Sequence, residues 1–281
     1  MIDVFLYVAF GAGVLAGYLT RWRSPWIERA IVADVAALVF FLGALVSALA
    51  VGSLLFAIPL ALAFVGLILV VTVGLTMVLP RRAPLPGTGQ RPSPLGVLVI
   101  LALIAGYGAG RLVALPADTA ITATLYVLLA LVGFNLRFSW DSLRTAPTPL
   151  IAAIAGALIA APIFSIATGF SLRLGLSTAL GFGFYSLAGP LVTTAIGPLA
   201  GLVAFLTNFF RENLTMVTAP WLGRRIRAEG LTAMGGATTM DTTLYFVTAY
   251  GDRDAGSMAL ASGLVLTVIA SLAVPFVLAV V

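Results

Sequence analysis

Apolar residues fall along the chain in long unbroken runs rather than alternating or recurring at amphipathic spacing. A helix that crosses a membrane needs about 20 mostly apolar residues to cover a hydrocarbon core of about 30 Å. Runs at roughly 4–20, 33–51, 54–79, 95–115, 119–138 and 148–170 meet that length criterion. They fall into two groups of three, separated by the polar stretch Pro80–Pro94, which carries Arg81, Arg82, Arg91 and five prolines and reads as a linker. The groups resemble each other. Gly11-Ala-Gly13-Val-Leu-Ala-Gly17 is echoed by Gly106-Tyr-Gly108-Ala-Gly110, and Phe41-Leu42-Gly43 by Leu131-Val132-Gly133. A repeat with an odd number of spans must lie upside down relative to its partner, the inverted-repeat plan of many secondary transporters.

Beyond residue 171 the pattern changes. Gly, Pro and hydroxyl residues interrupt the apolar runs at membrane depth, first from Leu176 through Gly181, Gly183, Ser186, Gly189 and Pro190 to Pro198. The second interruption runs from Leu231 through Gly235, Gly236, Thr238, Thr239, Asp241, Thr242 and Thr243 to Gly251. Each is followed by a full span, 199–221 and then 256–280. Irregular backbone is tolerated at this depth only where protein or a water-filled cavity satisfies it, so both segments point to a binding site.

Arginine placement decides whether the broken segments cross. With the N-terminus outside, the arginines of the first, third and fifth connections face the cytoplasm. Arg224, Arg225 and Arg227 join them only if the first broken segment enters and leaves by one face. Treating the second in the same way gives 12 arginines inside, 2 outside and Arg211 within the membrane. The expected fold is therefore an all-α polytopic membrane protein with eight transmembrane helices, two re-entrant hairpins from opposite faces, inverted repeats and both termini outside. Its parts are a scaffold repeat (1–79), a cytoplasmic linker (80–94), an inverted scaffold repeat (95–171) and a transport core (172–281). Asp3 is the only charge before the first run, and no small-residue cleavage pattern follows, so that run is expected to be retained. Asp34 is expected in the first turn of the second span, facing the helix dipole.

Composition agrees with a bilayer protein. The 281 residues are 61% hydrophobic with a mean hydropathy of +1.15, and only 9% are charged, against the roughly 25% usual in soluble domains. The net charge of +5 is then a topology signal, and no nucleic-acid partner is expected. With neither His nor Cys, the usual catalytic base, thiolate nucleophiles and sulfur-ligated metals are excluded. No enzyme activity, metal or cofactor is expected.

Candidate chemistry concentrates in the core. Asn208, Arg211, Glu212 and Thr215 recur at helical spacing and form one polar stripe, with Glu212 past the middle of its span. An ionised group at that depth carries a desolvation cost unless it is paired or hydrated, so it marks an internal cavity or a helix-to-hairpin salt bridge. Asp241 sits in the tract Thr238-Thr239-Met240-Asp241-Thr242-Thr243, where it could exchange a proton for a cationic substrate or cap a half-helix. The hairpin tips are expected near Ser186–Pro190 and Thr238–Thr242, meeting beside the stripe. Ser186, Gly189, Thr238, Thr239 and Thr242 join Asn208, Arg211, Glu212 and Asp241 as candidate substrate-binding residues, with Asp241 and Glu212 as the proton-coupling pair.

The ordered motifs Gly181-Phe-Gly183-Phe-Tyr185-Ser186-Leu-Ala-Gly189, Gly197-Pro198, Asn208-Phe-Phe-Arg211-Glu212 and Gly236-Ala-Thr238-Thr239-Met240-Asp241 resemble the prokaryotic lysine exporter family, LysO. That resemblance implies an inner-membrane exporter of L-lysine and close basic analogues, working by alternating access in exchange for protons, with Glu212 and Asp241 as its essential acids. One position departs from the family pattern: Thr194 stands where the family has an acid. A transporter of another amino acid or a carboxylate, coupled to H⁺ or Na⁺, fits the same residues, with Arg211 holding a carboxylate. A channel or membrane enzyme is the reading from another class, opposed by the paired hairpins and by the lack of His and Cys. Homo-oligomerisation is left open.

Overall fold

The computed structural model describes residues 4–20, 25–49, 51–78, 95–135, 146–223, 225–240, 242–251 and 255–281. Every regular element among the described residues is helical. Six long helices come first: α1 (Val4–Thr20), α2 (Pro25–Val46), α3 (Val51–Val78), α4 (Leu95–Leu112), α5 (Ala117–Asn135) and α6 (Pro147–Thr168). Short and long helices then mix as α7 (Leu172–Ala179), α8 (Tyr185–Ala195), α9 (Pro198–Leu222), α10 (Ala228–Gly235), a 3-10 turn Gly236–Met240, α11 (Leu244–Tyr250) and α12 (Ala255–Val280). The expected linker Pro80–Pro94 lies outside the described residues, as do Asp241 and Arg21, Arg23, Arg137, Arg144, Arg224 and Arg253.

Local chemistry accounts for the boundaries. Pro147 and Pro198 open α6 and α9, where a missing N–H costs nothing. Ser171 caps α7 by accepting from the Leu174 N–H at 3.2 Å. Gly169, in the left-handed region at φ 76°, closes α6 and donates to the Ser165 carbonyl at 2.9 Å. The second helix begins eight residues before the expected apolar run, at Pro25, because its opening turns are helical but polar, with Arg29 stacked on Trp26 at 5.0 Å. Asp34 is therefore the tenth residue of α2 rather than part of its first turn. Its Oδ2 is buried without a hydrogen-bond partner among the described residues.

Among the described residues, four segments are long and apolar enough to cross a membrane by length and composition: Arg29–Val46, Gly52–Val78, Pro147–Thr168 and Ala255–Val280. Val8–Thr20 and Ala117–Leu131 are shorter apolar helices, and α9 is long but carries the polar stripe.

Helices α1, α2, α4 and α5 pack as one group. Gly13 and Gly17 on α1 abut the backbone of Ala130 and Phe134 on α5, while Gly106 and Gly110 on α4 abut Phe40 and Ala44 on α2. A Cβ on any of these glycines would collide with a carbonyl, so they permit the close helix approach typical of small-residue interfaces. In each pair both residue numbers rise by four together, so α1 runs parallel to α5 and α4 parallel to α2. The α3 and α6 helices stack Phe64 on Phe164 with ring centroids 3.9 Å apart. They pack on the second half, α3 against α9 and α10 and α6 against α7, while the α1, α2, α4 and α5 group meets that half chiefly through α2 and α5 against α8.

Candidate functional site

Two helix breaks meet at the centre of the second half. The first, Leu180–Phe184, separates α7 from α8 and turns through positive φ at Phe182 (49°) and Gly183 (94°). The turn thus comes before Ser186–Pro190, where the sequence placed the tip. Those residues lie inside α8, which runs on past Pro190 to Ala195 although the proline lacks the N–H that would bond the Ser186 carbonyl. The second break starts at Gly236, whose φ of 66° and ψ of −127° suit only glycine.

The breaks bond to each other and to α9. Ala237 N–H donates to the Phe182 carbonyl at 2.8 Å, joining tip to tip. Asn208 accepts from the Gly183 N–H at 2.7 Å and donates to the carbonyls of Thr178 and Ala204, both at 2.9 Å. Arg211 donates from Nε to the Met234 carbonyl and from Nη2 to the Ala233 carbonyl, each at 2.9 Å. Thr239 donates to Gly236 at 2.7 Å and to Ala259 on α12 at 2.8 Å. These bonds use backbone groups that a broken helix leaves open, so the irregular chain is satisfied by protein. Tyr185, Phe205 and Phe209 pack edge-on and stacked, with centroids 5.6–5.8 Å apart, and seat α8 on α9.

A cavity of about 70 Å³ lies where the breaks face α2 and α5. Gly183, Phe184, Tyr185 and Ser186 form one wall, Ala237, Thr238, Met240 and Thr242 another, and Ile31, Val35 and Leu128 close it from the scaffold side. Glu212 from α9 and Thr267 from α12 complete the lining. A single water centre needs about 10–15 Å³, so the cavity has room for several waters or part of a small ligand. Its polar equipment is one carboxylate and the hydroxyls of five residues, Tyr185, Ser186, Thr238, Thr242 and Thr267, with the N-terminal end of α8 beside them. Among the described residues no group of three or more His, Cys, Asp or Glu could hold a metal.

The candidates from the sequence therefore take different positions. Glu212, Ser186, Thr238 and Thr242 line the cavity, and the first of these is 2% exposed. Asn208 and Arg211 tie the breaks to α9. Thr239 faces α12, and Gly189 packs against Phe205, where a Cβ would come within 2.7 Å of the ring-bearing carbon. Asp241 lies outside the described residues, between Met240 and Thr242, which both line the cavity. Sequence reasoning missed Thr267 and the scaffold wall of Ile31, Val35 and Leu128. Thr267 could have been noticed as one of four hydroxyl residues in α12, but Ile31, Val35 and Leu128 carry no polar signal at all.

Replacing Gly236 with Ala should destabilise the fold by about 1–3 kcal/mol, the cost of forcing a side chain into a glycine-only conformation. The added carbon would also press on the Phe182 carbonyl that receives Ala237. Thermal unfolding of the purified variant checks this, and an unchanged midpoint would show that the second break is not held as described.

A protein-family model described as lysine exporter LysO matches residues 100–278. The lysine exporter LysO of Escherichia coli is 32% identical over 170 residues, covering 57% of this chain and 55% of that protein. A putative lysine exporter of Haemophilus influenzae is 29% identical over 163 residues, covering 55% of this chain and 83% of that protein. The match thus spans only about half the length of the Escherichia coli relative. No solved structure matches. The matched region contains both helix breaks, the α9 stripe and the core wall of the cavity, and the chain belongs to the lysine exporter LysO family.

Proposed function

We propose that this membrane protein is a secondary active exporter of L-lysine and close basic analogues, residing in the inner membrane and exchanging its substrate for protons by alternating access. The observation that carries the reading is the cavity at the junction of two helix breaks, with Glu212 in its wall. Lysine has two ammonium groups and one carboxylate. Glu212, together with Asp241 from the adjoining tract, supplies the negative charge for the ammonium groups. The carboxylate meets the positive dipole end of α8, which has no side-chain cap and whose Tyr185 and Leu187 N–H groups bond the Gly183 and Phe184 carbonyls. Ser186, Thr238, Thr242 and Thr267 offer hydroxyls that bond either kind of group. The lysine in the names of both relatives fits that mixed set.

In the proposed topology eight helices cross, the segments at both breaks are re-entrant hairpins from opposite faces, and both termini lie outside. The packing supports an inverted repeat. Gly13 and Gly17 correspond to Gly106 and Gly110 at a shift of 93, and their partners Phe40 and Ala44 correspond to Ala130 and Phe134 at a shift of 90. Since α1 parallels α5 and α2 parallels α4, equivalent helices of the two repeats run in opposite directions if the short α4–α5 connection makes a hairpin. The core follows a similar rule. Gly175, Gly181, Asn208 and Glu212 correspond 55 positions later to Gly230, Gly236, Gly263 and Thr267. Asn208 and Gly263 each sit beneath a break, and Glu212 and Thr267 both line the cavity.

Uptake of labelled lysine into inside-out vesicles tests the function. Accumulation should rise with an outwardly useful proton gradient and collapse when the gradient is dissipated; gradient-independent uptake would overturn the coupling, and no uptake would overturn the substrate. The topology is tested by placing a single cysteine at Ile226 in a chain that has no native cysteine. An impermeant thiol reagent should label it from the cytoplasmic face only. Labelling from outside would overturn the hairpin assignment.

A further inference from the structure

We propose that Arg211 is a positioning residue and not a substrate ligand: its guanidinium clamps the C-terminal end of α10 to α9 and so holds the second helix break against the first. The carbonyl accounting at the end of α10 is complete. Thr232 accepts from the Gly236 N–H, Ala233 and Met234 accept from Arg211, and Gly235 accepts from the Thr238 hydroxyl at 2.9 Å. A helix end leaves its last four carbonyls open, and here one side chain closes the middle two. A cation at that end is also stabilised by the helix dipole.

The same guanidinium touches the other break, with its carbon 5.8 Å from the centre of the Phe182 ring. Phe182 in turn accepts the Ala237 N–H through its carbonyl. Arg211 therefore contacts α10 on one side and the α7–α8 turn on the other. One turn earlier on α9, Asn208 serves α7 in the same manner, through Thr178 and Gly183. Neither residue lines the cavity.

A ligand role fits this geometry poorly. Arg recognises a carboxylate best through two parallel N–H bonds. Nε and Nη2 are committed to the backbone, while Nη1 is wholly buried with no hydrogen-bond partner among the described residues. The side chain is 1% exposed. A substrate reaching it would have to dismantle the end of α10.

The test compares the full-length protein with Arg211→Gln and Arg211→Lys in lipid nanodiscs. Amide hydrogen exchange, which needs no ligand, should accelerate about tenfold in peptides covering 180–184 and 233–240 of the Gln variant, as expected for losing roughly one charge-assisted hydrogen bond. Exchange elsewhere in α9 should not change, and Lys, which keeps the charge and a donor, should recover part of the protection. Unchanged exchange at both breaks overturns the clamp. If Arg211→Gln does not fold, the Lys variant carries the same comparison with a smaller effect. A second readout rests on the lysine reading and separates the two roles: competition by lysine and by lysinamide, which lacks the carboxylate. A clamp weakens both in proportion in the Lys variant. A carboxylate ligand weakens lysine alone, and that outcome overturns the proposal. Failure of the parent protein to bind lysine would count against the function only, since the exchange measurement stands without it.

Discussion

Replacing Glu212 with Gln should lower lysine affinity by about a hundredfold, in the range for removing one partner of a buried charge pair, and should abolish lysine flux. The fold should survive. The side chain lines the cavity, and the neighbouring guanidinium of Arg211 is held by the Met234 and Ala233 carbonyls, ties that losing the carboxylate charge leaves in place. Gln keeps the size and hydrogen-bonding reach of Glu but neither its charge nor its exchangeable proton. Isothermal titration with lysine and a thermal melt on the same preparation check both parts. Full lysine affinity in Glu212→Gln would move the cationic subsite elsewhere. A collapse in stability with little change in affinity per folded molecule would instead make the residue a structural member of the core.

The second large effect is expected at Asp241. Asp241→Asn should abolish proton-driven lysine flux in protein that still reaches the membrane and, at lysine concentrations that offset its weaker hold on the ammonium group, still exchanges lysine for lysine. Its neighbours Met240 and Thr242 both line the cavity, and the tract begins within the 3-10 turn Gly236–Met240. A residue that only capped a half-helix would tolerate Asn, which is as good a cap as Asp. A residue that must lose and regain a proton would not. Counterflow of labelled lysine measured beside proton-driven uptake separates the cases, and a fully active Asp241→Asn protein would place the coupling residue elsewhere.

The bearing of these predictions on the fold differs from residue to residue. Glu212, Asn208 and Arg211 were legible as one helical stripe because their spacing fixes them to one face of α9, whatever that face meets. Their division of labour was not legible. Only the position of α10 shows that the arginine is spent on backbone carbonyls while the adjacent glutamate lines a cavity. The first break was misplaced for a related reason. Gly189-Pro190 looks like a stop, yet the chain turns at Phe182 and Gly183, where Asn208 waits to receive an amide. A proline early in a helix and a proline that ends one are alike in sequence.

By itself the sequence determined that the protein lives in a bilayer, that its first half is built of long apolar helices and that two stretches, 176–198 and 231–251, interrupt the second half. These follow from composition and local backbone chemistry, which act over a few residues and need no partner. The tertiary structure alone decided what the interruptions are for. It brought the Phe182 carbonyl to the Ala237 amide, put Thr267 and Glu212 in one cavity and closed that cavity with Ile31, Val35 and Leu128. Such contacts join positions far apart in the chain through packing and hydrogen bonds. An apolar residue gives no local sign of whether it will face lipid, core or cavity.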